Sequence, residues 1–142
     1  MKLSLLLKMF MWTVWKGCRF SPLSGLKKFK HNGLWDIGDN TVFKMYEEIV
    51  LEGNNRIGIG CILTTASSIS ITGKLISGKI ILKPGAMVGS NSVIMPDVII
   101  GEGSIVGACS LVRQGTRIPA GELWCGVPAK FKKKLIFNVR GC

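Results

Sequence analysis

The second half of the chain repeats an aliphatic residue every six positions. Leu51, Ile57, Leu63, Ile69 and Leu75 form one run. After a slip of one residue, Ile76, Leu82, Val88, Ile94, Ile100, Val106, Val112 and Ile118 form a second. Leu, Ile and Val supply 40 of the 142 residues, so eight consecutive hits in one phase arise by chance with a probability on the order of 10⁻⁵ to 10⁻⁴. A period of six fits neither a helix nor a simple strand, whose side chains recur at about 3.6 and 2 residues. It fits a chain that turns a corner every six residues.

Four places after each aliphatic residue the side chain is usually small: Cys61, Ser67, Gly73, Ala86, Ser92, Ser104, Ser110 and Thr116, with Ile80 and Val98 as larger exceptions. Glycine follows the aliphatic residue directly at Gly58, Gly89, Gly101 and Gly107. Each hexapeptide therefore reads as one short strand and one turn, and three of them as a coil of a parallel β-helix. The aliphatic residue points into a narrow core, the small residue sits near a corner, and glycine relieves the turn. Residues 36–126 are predicted to form this all-β domain, of about four to five coils. Ile37, Phe43 and Ile49 begin it imperfectly, before a shift of two to Leu51.

The chain carries 19 Lys+Arg against 8 Asp+Glu, a net charge of +11. Such a surface favours anionic partners. Its basic residues gather at the two ends (Lys16 to Lys30 and Lys130 to Arg140) without a nucleic-acid-binding motif, so no nucleic-acid partner is expected. The five cysteines (Cys18, Cys61, Cys109, Cys125 and Cys142) include no CxxC pair. An odd, scattered set reads as reduced thiols of a cytoplasmic protein.

Residues 1–35 read as an N-terminal helix followed by a basic connector. Leu3, Leu6, Leu7, Phe10, Met11 and Val14 share one helical face, and Lys8 makes the run too short to span a membrane. No small-x-small cleavage site follows, which argues against a signal peptide. The helix either packs on protein or lies on a membrane surface, where residues 1–30 contribute Lys16, Arg19, Lys27, Lys28 and Lys30; the second reading gives a cytoplasmic protein peripheral to the inner face of the membrane. Residues 127–142 read as a short basic C-terminal helix and tail.

The stretch Val98-Ile-Ile-Gly-Glu-Gly-Ser-Ile-Val-Gly-Ala-Cys-Ser-Leu-Val112 and the ending Gly126-Val-Pro-Ala-Lys130 resemble the hexapeptide-repeat acyltransferase superfamily, closely over residues 76–134 and loosely over 36–75. The segment from Gly115 to Phe131 is also similar to the γ-class carbonic anhydrase branch. The resemblance implies a left-handed β-helix, a homotrimer with active sites between subunits, and acetyl-CoA as acyl donor held along the groove between prisms. It also implies a sugar or glycan acceptor. Carried over onto this sequence, Gly107 and Ala108 are small residues that let the pantetheine arm approach. Gly126, Pro128, Ala129 and Lys130 match the closing motif, whose basic residue meets the nucleotide phosphates. Arg113, Lys132 and Lys133 add positive charge nearby.

Acyl transfer to a hydroxyl needs a base for its proton and donors for the oxyanion. In the superfamily the base is a histidine in the middle of the prism. The sole histidine here, His31, precedes the repeats, and would reach a site only by folding back or entering a neighbouring subunit. Glu47, Glu48, Glu52, Asp97, Glu102 and Glu122 are the other candidate bases. Zinc of the γ-class kind takes three imidazoles, so no metal is expected. Residues 69–80, with a single extra residue, read as a place where a long acceptor-binding loop has been lost. The readings are thus a CoA-dependent acyltransferase acting on a sugar or glycan precursor, a catalytically degenerate scaffold or partner subunit, and a metal-free γ-carbonic-anhydrase-like protein.

Overall fold

The computed structural model describes residues 17–21, 27–69 and 73–136, and among them the regular elements are strands, with no α-helix. Three parallel sheets form the faces of a prism. The first face stacks β1 (Arg19–Ser21), β4 (Val42–Lys44), β7 (Ile62–Thr64), β12 (Val93–Ile94) and β15 (Leu111–Val112). The second stacks β2 (Phe29–His31), β5 (Ile49–Leu51), β10 (Ile80–Leu82), β13 (Ile99–Ile100) and β16 (Arg117–Ile118). The third stacks β3 (Trp35–Ile37), β6 (Asn55–Ile57), β11 (Met87–Val88), β14 (Ile105–Val106) and β17 (Glu122–Gly126), and β18 (Ala129–Lys134) is added at its end. The chain visits the three faces in turn five times. At about 4.8 Å per strand the stack is roughly 19 Å from first coil to last.

The period of six corresponds to one repeated inward aliphatic residue per face. Val88 lies on Val106, Ile94 on Val112 and Ile100 on Ile118, each pair one coil of 18 residues apart. All six are buried. The shift between Ile49 and Leu51 has a simple cause, because β5 turns both residues inward with Val50 between them. Strand pairing starts earlier than the repeats suggest, since β1 and β2 lie within the stretch read as a connector. The amphipathic segment proposed as an N-terminal helix lies outside the described residues.

The small inward residues perform a specific task at the corner from the third face to the first. There Gly38, Gly58, Gly89 and Gly107 stack in a column. A Cβ on Gly38 would lie 2.4 Å from the Ile59 nitrogen, on Gly58 2.5 Å from that of Ser90, and on Gly89 2.4 Å from that of Ala108. The glycine carbonyls turn inward and accept hydrogen bonds from the small residues. Cys18 Sγ reaches Gly38 O at 3.4 Å, Thr41 Oγ1 Gly58 O at 3.0 Å, Cys61 Sγ Gly89 O at 3.2 Å and Ser92 Oγ Gly107 O at 3.0 Å. Burial pushes the Cys61 thiol pKa up, as suits a neutral donor. The two larger exceptions, Ile80 and Val98, continue the column of Phe29 and Ile49 at the start of the second face, where bulky buried side chains fill the corner.

Two expectations are corrected. Residues 69–80 are not a shortened join. Leu63 and Leu82 take consecutive inward positions although 19 residues separate them, against six for Ile94 and Ile100. The extra chain forms an antiparallel hairpin of β8 (Ala66–Ile69) and β9 (Lys74–Ser77). The aliphatic residues Leu75 and Ile76, which kept the period, therefore belong to the hairpin rather than to a coil, and Leu75 is exposed. At the C-terminus, residues 129–134 form no helix but the strand β18, antiparallel to β17. The last coil leaves β17 with an unpaired edge, and the chain reverses at Val127-Pro128 to pair with it. The sequence Lys130-Phe-Lys-Lys-Lys134 lacks the apolar stripe that would bury a helix against the prism.

Glu48 joins the first three coils on the second face. Its carboxylate takes Lys30 and, at 2.8 Å, Lys79. The Lys30 ammonium, then that of Lys79, holds the Glu48 pKa down from 4.5 to about 2. A lowered carboxyl pKa stabilises the fold above the unfolded value and ceases to do so as pH falls through the folded one. The excess thermal midpoint of wild type over Glu48→Gln is expected to be fully present at neutral pH and to shrink between pH 4.5 and 2; a pH-independent difference would contradict the ion pairs. Gly89→Ala places a methyl group against the Ala108 backbone and is expected to cost about 1–3 kcal/mol, read from denaturant midpoints at constant slope.

Candidate functional site

The residues assigned by resemblance to CoA binding separate into three groups. Gly107, Ala108, Gly126, Pro128, Ala129 and Lys130 come together where the third face meets the first, in the last two coils. Gly107 N–H donates to Trp124 O at 2.8 Å. A Cβ on Gly107 would lie 2.6 Å from Cys125 Cβ, so this glycine brings the last coil into close stacking with the one before it. Ser110 Oγ accepts the Gly126 N–H at 3.1 Å and donates to Ala108 O at 3.4 Å, tying the tip of the corner to the closing turn. Ala108 and Lys130 are exposed, and Pro128 and Ala129 half-buried. The result is a corner of small residues, with Val127 exposed at the closing turn and Lys130 beside it.

Lys132 lies farther along β18. Residues 131 and 133 pair with Trp124 and Leu123 in succession, which leaves Lys132 as the extra residue of a bulge, exposed on the strand. Arg113 is not part of this corner. It follows β15 at the opposite edge of the first face, where its carbonyl accepts the Thr116 hydroxyl at 2.6 Å. The resemblance grouped it with Lys132 and Lys133, but in a prism the five residues from Ala108 to Arg113 are nearly a whole face.

His31 is in the first coil, four strand spacings from β16 on the second face, about 19 Å at ordinary strand separation. It belongs to an aromatic plug at that end of the core. Phe20 stacks on Phe43 with centroids 4.9 Å apart, Phe29 meets Phe43 edge-on at 5.5 Å, and Trp35 lies 5.3 Å from the imidazole. Trp35 Nε1–H donates to His31 Nδ1 at 3.1 Å. An imidazole that accepts at Nδ1 carries its own proton on Nε2, so neither nitrogen offers a free lone pair to an acceptor hydroxyl. In this arrangement His31 Nδ1 is committed to Trp35.

Four of the six candidate carboxylates have strong partners. Glu48 is held as described, Glu52 pairs with Lys83 at 2.9 Å, and Asp97 pairs with Arg117 at 2.8 Å. Glu122 is buried at the opposite end of the core, where its Oε2 accepts the Trp124 indole N–H at 2.8 Å. The sequence carries one histidine, and among the described residues no cluster of three or more His, Cys, Asp or Glu forms a metal-binding group. A zinc site of three imidazoles does not fit this chain.

Cys109 was overlooked as a neighbour of this corner. It is exposed directly after Ala108 and adopts a left-handed φ of 55°. Asn40, Gly60 and Asn91 take the same conformation at the equivalent corners, a column of turn residues that could have drawn attention to position 109.

Comparison with known proteins supports the fold and the superfamily resemblance. Residues 79–114 match the family described as bacterial transferase hexapeptide (six repeats). Over 99 residues, 70% of this chain, it is 44% identical to gamma carbonic anhydrase 1, mitochondrial, and 30% identical to gamma carbonic anhydrase 2, mitochondrial, both of Arabidopsis thaliana. The chain spans only 26% of the length of each of these relatives. A hexapeptide-repeat-containing acetyltransferase of Vibrio cholerae superimposes with a TM-score of 0.68 at 25% identity, over 84% of this chain and 71% of that one. The same protein complexed with acetyl coenzyme A gives 0.71 at 26% identity, over 84% and 65%. A galactoside acetyltransferase in complex with coenzyme A shares the fold, with a TM-score of 0.72 at 22% identity over 84% and 60%.

His31→Ala is expected to cost about 1–2 kcal/mol through loss of the Trp35 hydrogen bond, measured by denaturant unfolding, and to leave acetyl-CoA affinity at the wild-type value. A selective loss of acyl transfer in a variant of unchanged stability would restore His31 as the base.

Proposed function

We propose that this hexapeptide-repeat prism binds acyl-CoA and serves as a CoA-dependent acyltransferase, with a hydroxyl or amine of a sugar or glycan precursor as acceptor. The observation that carries this reading is the meeting of Gly107, Ala108 and the closing turn Gly126–Lys130 at one corner, although 18 residues separate the two segments. The small residues Gly107, Ala108 and Gly126, with Val127 exposed at the turn, suit a narrow, flexible and partly apolar arm such as pantetheine. Lys130 and Lys132 on the adjoining strand suit phosphate groups. The Vibrio cholerae acetyltransferase, which binds acetyl-CoA, supports the choice of ligand. Assembly as a homotrimer belongs to the same proposal, since the corner would then be walled by a second prism. The proton acceptor would have to come from outside this corner, because His31 and Glu122 serve the two ends of the core.

A second reading is favoured by that same engagement of His31: the chain is a non-catalytic scaffold or partner subunit that retains the fold. Calorimetric titration of the full chain with acetyl-CoA decides between them. Binding is expected, with a roughly tenfold or greater loss in Lys130→Ala, the cost of one charge-assisted hydrogen bond. Ala108→Trp, at an exposed position, is expected to abolish binding without unfolding the protein. Absence of heat at millimolar acetyl-CoA would end the transferase reading. Binding without release of free thiol in the presence of sugar acceptors would favour the scaffold.

A further inference from the structure

β18 continues its charge past Lys130 and Lys132, the two lysines that the CoA reading assigns to phosphate groups. Four lysines (Lys130, Lys132, Lys133 and Lys134) lie exposed on this six-residue strand. None forms an ion pair with a described residue, whereas Lys30, Lys79, Lys83 and Arg117 all do. Among and just beyond them are large apolar side chains open to solvent: Phe131 at 49% and Ile136 at 87% of full exposure. β18 is the terminal strand of the third face, beyond the last coil. A cleft of about 410 Å³ opens beside it, lined by Ile105, Leu135 and Ile136 together with Lys133 and Lys134.

We infer that this end of the prism docks on an anionic lipid surface. The cleft has an aliphatic lining and two ammonium groups, so it matches a boundary where hydrocarbon and phosphate meet. Phe131 and Ile136 would enter the interfacial layer, and the lysines would lie among headgroup phosphates. Charge selects this occupant over a second copy of the chain. Pairing two β18 edges would set lysine against lysine, which is the ordinary means of keeping an edge strand solitary. The large apolar groups select it over a merely acidic polypeptide, which would neutralise the lysines and leave Phe131 and Ile136 in water.

The test is co-sedimentation of the full chain with vesicles of phosphatidylcholine alone or mixed with phosphatidylserine. Binding is expected to the mixed vesicles only, and to be reversed by high salt. Lys133→Gln with Lys134→Gln should weaken it about thirtyfold, at one charge contact for each lysine. Phe131→Ser with Ile136→Ser should also weaken it while leaving acetyl-CoA titration unchanged, which separates this surface from the CoA corner. Failure of the wild-type chain to sediment with mixed vesicles would overturn the inference. Wild-type sedimentation by the lysine pair variant would do so too, by placing any lipid contact elsewhere, as at residues 1–30. Full vesicle affinity in the Phe131/Ile136 variant, with equal binding to soluble polyglutamate, would reduce the surface to plain charge attraction and overturn it as well.

Discussion

The fold depends on a hydrogen bond repeated along one edge of the prism, from a small inward side chain to the carbonyl of a corner glycine. Cys18, Thr41, Cys61 and Ser92 donate to Gly38, Gly58, Gly89 and Gly107 in successive coils. A sharp corner turns a backbone carbonyl toward the core, where an unpaired acceptor would be costly. A short donor satisfies it without consuming volume that the aliphatic residues need. The glycine is required for a different reason: the next coil's backbone passes where its Cβ would be. Small donor and glycine are thus two parts of one constraint, and their spacing keeps the coils in register.

Each end of the core needs its own solution, because there the stacking partner is missing. At the first coil Phe20, Phe29 and Trp35 close the core, and His31 satisfies the Trp35 indole. At the last coil Trp124 takes the inward position above Val106, and Glu122 satisfies its indole in the same way. Two of the candidate bases, His31 and Glu122, are therefore each paired to a tryptophan at a prism end. This is why a lone histidine and a buried glutamate need not mark a catalytic centre.

The hexapeptide pattern made the coils from Ile80 to Trp124 legible, since there each face repeats one inward aliphatic residue every six positions with equal turns. It misled at Leu75 and Ile76, where residues of a hairpin happened to continue the period. Periodicity records spacing but not pairing, and a hairpin whose length nearly preserves the phase is invisible to it. β18 was misread for a related reason. Lys130–Lys134 has no strong preference of its own, and the free edge of β17 decides its conformation. The meeting of Gly107 and Ala108 with the closing motif was half legible: the resemblance grouped these residues, and with them Arg113, which stands at another corner of the triangle.

What the sequence determined by itself is the prism. Aliphatic residues at intervals of six, with small residues and glycines at set offsets, can bury their side chains together only by coiling. What tertiary structure alone decided is which of the reactive or charged residues share a surface. It brought Gly107 and Ala108 to Gly126–Lys130, sent His31 and Glu122 to opposite ends, and laid the C-terminal lysines along one edge strand. The physical reason is that inward burial is a local property of each hexapeptide, whereas proximity at the surface depends on the stacking of coils 18 or more residues apart.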